Sequence, residues 1–133
     1  MNIGIPKETH PGEQRVSFIP ESVSRLTAKG AQITVEAGLG DSIGISDAEY
    51  QKAGATIQSD RRALLSSSDL TLRLRKPPAE EIGLLKKGSI HVSFLDPFNE
   101  KELVNQLAQN QISAVSMEMI PRTTRAQKMD ALS

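Results

Sequence analysis

The chain has 133 residues, 38% of them hydrophobic but only one Tyr and three Phe, and 16 basic residues balance 16 acidic ones. That length and composition describe one aliphatic globular domain, too short for two independent cores. The charge balance supplies no overall field toward nucleic acid or an acidic membrane. The sequence contains no cysteine, so disulfides, thiolate chemistry and cysteine metal sites are excluded together.

In chain order, "NIGI" reads as a strand from the second residue, and no basic leader with an apolar run precedes it. A cytoplasmic location is expected on that ground. No run approaches the roughly 20 apolar residues of a membrane span. "PESVSRLTAKG" carries helix punctuation: Pro20 suits a first position, Val23 and Leu26 share a face, and Gly30 ends the turn. Ile19 stands where a capping side chain is preferred, which costs about 1 kcal/mol unless another group caps the helix. The strand "QITVEA" leads to "GLGDSIG". Gly38, Gly40 and Gly44 there miss the G-x-G-x-x-G spacing of a dinucleotide loop and read as turn residues. Ser46 and Glu49 form a capping box for "DAEYQKAG". "DRRALLSSS" is a short helix candidate before the strand "LTLRL", which the prolines of "RKPPAEE" end.

"AEEIGLLKKG" is a further short helix candidate, and "SIHVSFL" the next strand. Asn99 with Glu102 suggests a second capping box for "EKELVNQLAQN", where Leu103 and Leu107 stack at i, i+4. "ISAVSM" is the last strand. Alternation of strand and helix predicts an α/β fold, an open and mainly parallel sheet with helices on both faces. In such sheets ligands sit at the carboxyl ends of strands. The loops after Ile5, Glu36, Leu74, Leu95 and Met117 are therefore the candidate site.

Several side chains in those loops are chemically suggestive. Arg15, in a polar loop, fits either a ligand carboxylate or a structural acid. Arg73 and Arg75 fall on one face of a strand with Lys76 at its end, which suits a solvated edge at least as well as an anion site. His91 reads as a packed or hydrogen-bonded strand residue, and His10 lacks an obvious acidic or metal-ligating partner. No histidine pair, carboxylate pair or nucleophile constellation is spaced for catalysis. Composition and spacing alone stop at a soluble α/β domain.

Taken together, "MNIGIPKETHPGEQRVSFIPESV", "ITVEAGLGDSIGISDAEYQKAGA" and "MEMIPRTTRAQKMDALS" closely resemble the start of the NAD(H)-binding alpha subunit of proton-translocating nicotinamide nucleotide transhydrogenases. The related alanine dehydrogenases share the first two stretches. The resemblance covers essentially the whole chain and implies a Rossmann-like N-terminal domain over 1–133. The NAD-binding Rossmann domain expected to follow is absent after Ser133, so this chain alone is expected to be inactive.

The resemblance also implies roles at individual positions. Arg15 matches the arginine that holds the substrate carboxylate in alanine dehydrogenases. Arg75 stands where they carry a substrate-binding lysine, and Asp96 where they carry the catalytic histidine. An arginine cannot lose a proton at useful pH, and an ordinary aspartate is a poor base near neutrality. The transhydrogenase reading is therefore preferred, with Arg15 and Arg75 kept as possible anion-binding residues. Arg122, Gln127, Asp130 and Ser133 match residues that position the nicotinamide and its ribose. No residue is assigned as catalytic, because hydride transfer needs only two rings held face to face without water. What the resemblance implies is NAD(H) bound with the second domain, NADP(H) on a partner subunit or domain, a membrane component that moves protons, a homodimer, and peripheral association with the inner membrane. The alternatives are a fragment of an alanine dehydrogenase and a non-catalytic carboxylate-binding or docking module.

Overall fold

The computed structural model describes residues 1–119. Its elements are β1 (Asn2–Ile5), α1 (Pro20–Ala28), β2 (Gln32–Glu36), α2 (Asp47–Lys52), β3 (Thr56–Gln58), α3 (Arg61–Ser67), β4 (Leu70–Arg75), α4 (Ala79–Ile82), β5 (Ile90–Phe94), α5 (Lys101–Gln109) and β6 (Ser113–Ser116). A 3-10 turn over Met117–Met119 follows β6. The six strands form one sheet in the order β3-β2-β1-β4-β5-β6, and each adjacent pair is parallel. Chain order runs outward from β1 in both directions, so the switch point lies between β1 and β4. Every strand's carboxyl end then faces the same rim, as the alternating pattern predicts.

The core of the domain lies in two apolar layers, one on each face of the sheet. Ile3, Ile5, Ile33, Val35, Leu72 and Val92 pack with Val23 and Leu26 of α1 and Tyr50 of α2. Leu64 and Leu65 of α3 cluster with Ile82 of α4 and Leu103 and Leu107 of α5 on the opposite side. Alternation along the strands decides which residue faces which layer. Gly4 pairs with Thr71, and Thr71 with His91, so these three face α3 rather than α1. That face is polar where it is most buried: Thr71, Arg73, His91 and Ser93 are each 3% exposed or less. His91 shares a 3.0 Å hydrogen bond with the Ser93 hydroxyl, which makes it the packed, bonded strand histidine the pattern suggests.

Local signals mostly hold. The Ser46 hydroxyl accepts from the Glu49 amide at 3.3 Å, so α2 is capped as expected. No side chain caps α1 at Ile19. The glycine-rich segment forms a turn and a 3-10 turn over Asp41–Ile43. Three readings change. The strand β3 is only "TIQ", too short to register as an aliphatic run. The helix expected from Ala79 stops at Ile82. Glu100, not Asn99, occupies the N-cap of α5, without a side-chain cap. The Asn99 side chain turns to Asp96 instead, its amide nitrogen donating to both carboxylate oxygens at 3.1 and 3.2 Å.

Gly4 is required by close approach. A Cβ there would lie 1.9 Å from the Ser68 hydroxyl and 3.2 Å from a Leu64 methyl. Gly4→Ala should therefore cost about 1–3 kcal/mol in urea unfolding, as overpacking does, and Ser68→Gly in the same chain should recover some of it. A second expectation concerns His91, whose pKa burial, helped by the Arg73 charge, pushes down to about 3 from 6.5. Between those values the unfolded chain binds a proton that the folded chain refuses. Stability should thus fall as pH falls from 6.5, by up to about 1.4 kcal/mol per pH unit. Imidazole NMR should find His91 neutral at pH 5; a midpoint near 6.5 would refute this.

Candidate active-site rim

The rim is built by carboxylates that reach across from neighbouring elements. After β1 the chain places Glu8 against the end of β4, where its two oxygens accept from the amides of Leu74 at 2.7 Å and Arg75 at 3.1 Å. The β4–β5 register shifts between Leu72 and Arg75, and a bulge of this kind leaves ladder donors seeking other acceptors. Glu118, just after β6, does the same at the end of β5. It accepts from the Leu95 and Asp96 amides, each at 2.9 Å, and from the Ser116 hydroxyl at 2.5 Å. Burial opposes the Glu118 charge, but the Ser116 hydroxyl and the backbone donors outweigh it and hold its pKa below the usual carboxylate value. Asp96 takes a left-handed conformation, with φ at 52°. That is uncommon for a residue other than glycine.

Between these two strand ends lies a cleft of about 270 Å³ bordered by His10, Arg75, Lys76, Phe94, Asp96 and Glu118. A second hollow of about 220 Å³, bordered by Thr9, His10, Arg73, Arg75 and Lys76 among others, adjoins it. The structure thus brings Arg75 and Asp96 to the border of one cleft. His10, Glu8, Glu13 and Glu118, to which sequence reasoning gave no role, belong to the same rim. Only one local signal was available for them, the Glu13-x-Arg15 spacing. It is too common to stand out.

The arginines and the lysine that face this rim already have anions. Arg15 forms a bidentate pair with Glu13, Nε and a terminal nitrogen each 2.9 Å from a carboxylate oxygen. Arg75 Nε donates to the same carboxylate at 2.8 Å. The Glu13 side chain is 3% exposed while that of Arg15 is 70% exposed, so one buried acid gathers two guanidinium groups. Bonds from the Arg15 side chain first, then its backbone amide, then Arg75, hold the Glu13 carboxyl far below the usual carboxylate range. Lys76 is paired with Glu100.

Arg73 departs from the solvated-edge reading. Its strand lies between β1 and β5, and its residue is 3% exposed. A terminal nitrogen donates to Glu81 at 3.0 Å. Glu81 also receives a bidentate pair from Arg61 at 2.6 and 3.1 Å, and Arg61 reaches Glu36 at 2.6 Å and the Lys7 carbonyl at 2.8 Å. Arg73 is therefore a structural cation, whereas Arg75, with a side chain 43% exposed, faces the cleft. Arg122, Gln127, Asp130 and Ser133 lie outside the described residues.

Comparison with known proteins follows the same outline. Residues 4–133 match the family described as alanine dehydrogenase/PNT, N-terminal domain. The chain belongs to this family. It is 38% identical over 138 residues to an NAD(P) transhydrogenase alpha subunit polypeptide of Rhodospirillum rubrum, covering 100% of this chain and 36% of that polypeptide. With an alanine dehydrogenase of Mycobacterium tuberculosis it shares 31% identity over 120 residues, 90% of this chain and 32% of that enzyme. A solved transhydrogenase from Sinorhizobium meliloti superposes with a TM-score of 0.89 at 37% identity, covering 98% of this chain and 39% of the other. The chain thus spans about a third of the length of these relatives. Family membership agrees with the parallel α/β sheet. Among the described residues no helix is long and apolar enough to cross a membrane, and no group of three potential metal ligands occurs.

The Glu13 pair makes a testable statement about pH. Its carboxyl has a lower pKa folded than the ordinary 4.5, so its contribution is present above that value and lost as pH falls toward the folded pKa. Glu13→Gln should lower unfolding stability at pH 7, and the gap from the parent should narrow steadily below pH 4.5. A gap that stays constant down to pH 3 would show that the ion pair is not its source.

Proposed function

We propose that this chain is the N-terminal portion of the NAD(H)-binding component of a transhydrogenase, which passes hydride between NAD(H) and NADP(H) while other subunits or domains move protons across a membrane. The observation that carries the proposal is the rim itself: Arg75 and Asp96 stand together at the cleft where alanine dehydrogenases are expected to use a lysine and a histidine. Similarity to a transhydrogenase alpha subunit over the full chain supports the same reading.

The residues of the rim fit one end of a dinucleotide. Phe94, 38% exposed, offers an aromatic edge, and Arg75, Lys76 and His10 offer donors around it. The cleft is smaller than the about 300–1,000 Å³ that encloses a drug-sized ligand, so a second domain completes the site. NAD(H), when bound, supplies the hydride. The protein's role is positioning and exclusion of water, which requires no proton transfer from a side chain. Arg122, Gln127, Asp130 and Ser133 are the residues proposed to hold the nicotinamide and ribose, by their match to the family. Arg15 and Arg75, joined through Glu13, are proposed as a secondary anion contact. The partners are NADP(H)-binding and membrane components, with two copies of the NAD(H) component paired, so the chain is held at the inner membrane through them.

One observation favours the alternative of amino-acid oxidation: His10 borders the same cleft as Arg75 and offers an imidazole. A single pair of assays on the intact protein separates the two readings. Reduction of an NADP⁺ analogue by NADH, with pyruvate amination at background, is the expected result. Robust amination of pyruvate with NADH would overturn the transhydrogenase assignment.

A further inference from the structure

The polar patch buried on the α3 face of the sheet is not satisfied by the described residues alone. Thr71 and His91 are direct partners across β4 and β5, and Arg73 lies two residues along from Thr71, on the same side of its strand. All three are buried, and the Arg73 charge acts on His91. His91 is bonded through Nε2 to the Ser93 hydroxyl, and Arg73 through a terminal nitrogen to Glu81. Among the described residues, however, none partners the Thr71 hydroxyl, His91 Nδ1 or Arg73 Nε. Native interiors answer such groups with protein atoms or with ordered water, because leaving them bare forfeits their hydration for nothing. Side chains of neighbouring strands leave the backbone about 5 Å apart. Two hydrogen bonds of about 2.8 Å each span that interval through one oxygen.

We propose that Thr71, Arg73 and His91 together form a binding site for one ordered water inside the domain, bridging β4 and β5 beneath the helices that cover them. Three partners are what a buried water typically has. The ligand is water rather than an ion. A guanidinium Nε is a donor only and repels a cation, while Glu81 already balances Arg73, so an anion would bury an unpaired charge. A water beside a guanidinium accepts from it and turns its own hydrogens away. One of them then meets His91 Nδ1, which makes Nδ1 the acceptor and leaves the ring proton on Nε2, donating to Ser93. The Thr71 hydroxyl, which can donate or accept, closes the third side. Arg73 also borders the hollow of about 220 Å³ at the rim, so the water is one side chain away from a route of exchange with solvent.

A crystal structure of the unsubstituted protein, at a resolution that shows waters, should place an oxygen within about 2.7–3.2 Å of all three atoms. Nitrogen NMR at neutral pH should find His91 protonated at Nε2 and bare at Nδ1. No oxygen there, with the Thr71 hydroxyl bonded directly to His91 or with Arg73 Nε turned to a carbonyl, overturns the site, and so does a proton on Nδ1. Thr71→Val adds a test of sign in solution. A buried hydroxyl without a partner is better replaced by a methyl, so its loss lowers the unfolding constant, whereas loss of a water-bonded hydroxyl should raise it about tenfold. A fall, or no change, counts against the water. If the variant does not fold, the density and the nitrogen shifts of the unsubstituted protein decide alone. Neither measurement depends on the proposed function.

Discussion

A guanidinium buried in a central strand governs the arrangement of this domain. Arg73 sits on β4 with a side chain 2% exposed, and burial works against its charge first, before any partner favours it. An isolated charge there would be prohibitively costly, and breaking such a pair by removing one partner typically costs about 3–5 kcal/mol. Glu81 answers it from α4, a helix of four residues that could not persist alone. The bidentate grip of Arg61 on Glu81, and its reach to Glu36 and the Lys7 carbonyl, then tie α3, α4, β2 and the loop after β1 to that one strand. Three of the loops at the carboxyl rim are thereby set in place before any ligand is considered.

Arg61 and Glu81 respond to burial in a consistent way. Desolvation alone would weaken the charge on each, yet the hydrogen bonds and charges between them leave the guanidinium pKa raised and the carboxyl pKa lowered. Nearer the rim, Glu8 and Glu118 use a different device, one carboxylate accepting two consecutive amides at the end of β4 and of β5 respectively. Each glutamate comes from a different stretch of the chain than the strand it closes. The cleft between those strand ends is therefore a gap between two fixed walls, and Arg75 and Asp96, whose own amides are clamped, are aimed by their backbones.

Much of the fold is legible in the sequence because the aliphatic runs are local signals. β1, β2, β4, β5 and β6 announce themselves as runs of Ile, Val, Leu and Thr, and α2 by its Ser46 cap. What escapes is nonlocal. β3 has three residues at a sheet edge, with no run to detect. Arg73 looks like half of an exposed alternating charge pattern, since the acid that neutralises it lies on another element and the order of strands cannot be read from "LTLRLRK". Asn99 is a sound cap by type, but its side chain is held on Asp96 and the helix begins one residue later. The strand-end loops and the arginines Arg15 and Arg75 could be singled out by pattern, whereas Asp96 came only from the family resemblance. It did not supply Glu13, the carboxylate on which both arginines converge.

The pairing of cations with acids bears on what the rim can hold. Arg75 and Arg15 share Glu13, with the charge of Glu8 also acting on Arg15, Lys76 meets Glu100, and Arg73 meets Glu81. A nicotinamide ring carries a positive charge when oxidised and none when reduced. An uncompensated cation about 6 Å away would penalise the oxidised ring by on the order of 3 kcal/mol at an effective dielectric of about 20, a bias of more than a hundredfold toward the reduced form. A component that passes hydride reversibly must hold both forms with similar strength. Donors whose charge is already balanced can still orient a carboxamide or a ribose hydroxyl while leaving the redox equilibrium of the ring nearly untouched. On the proposed function, pairing these rim cations with acids is thus what reversible hydride transfer requires, whereas a site built to seize an amino-acid carboxylate gains by leaving its arginine free.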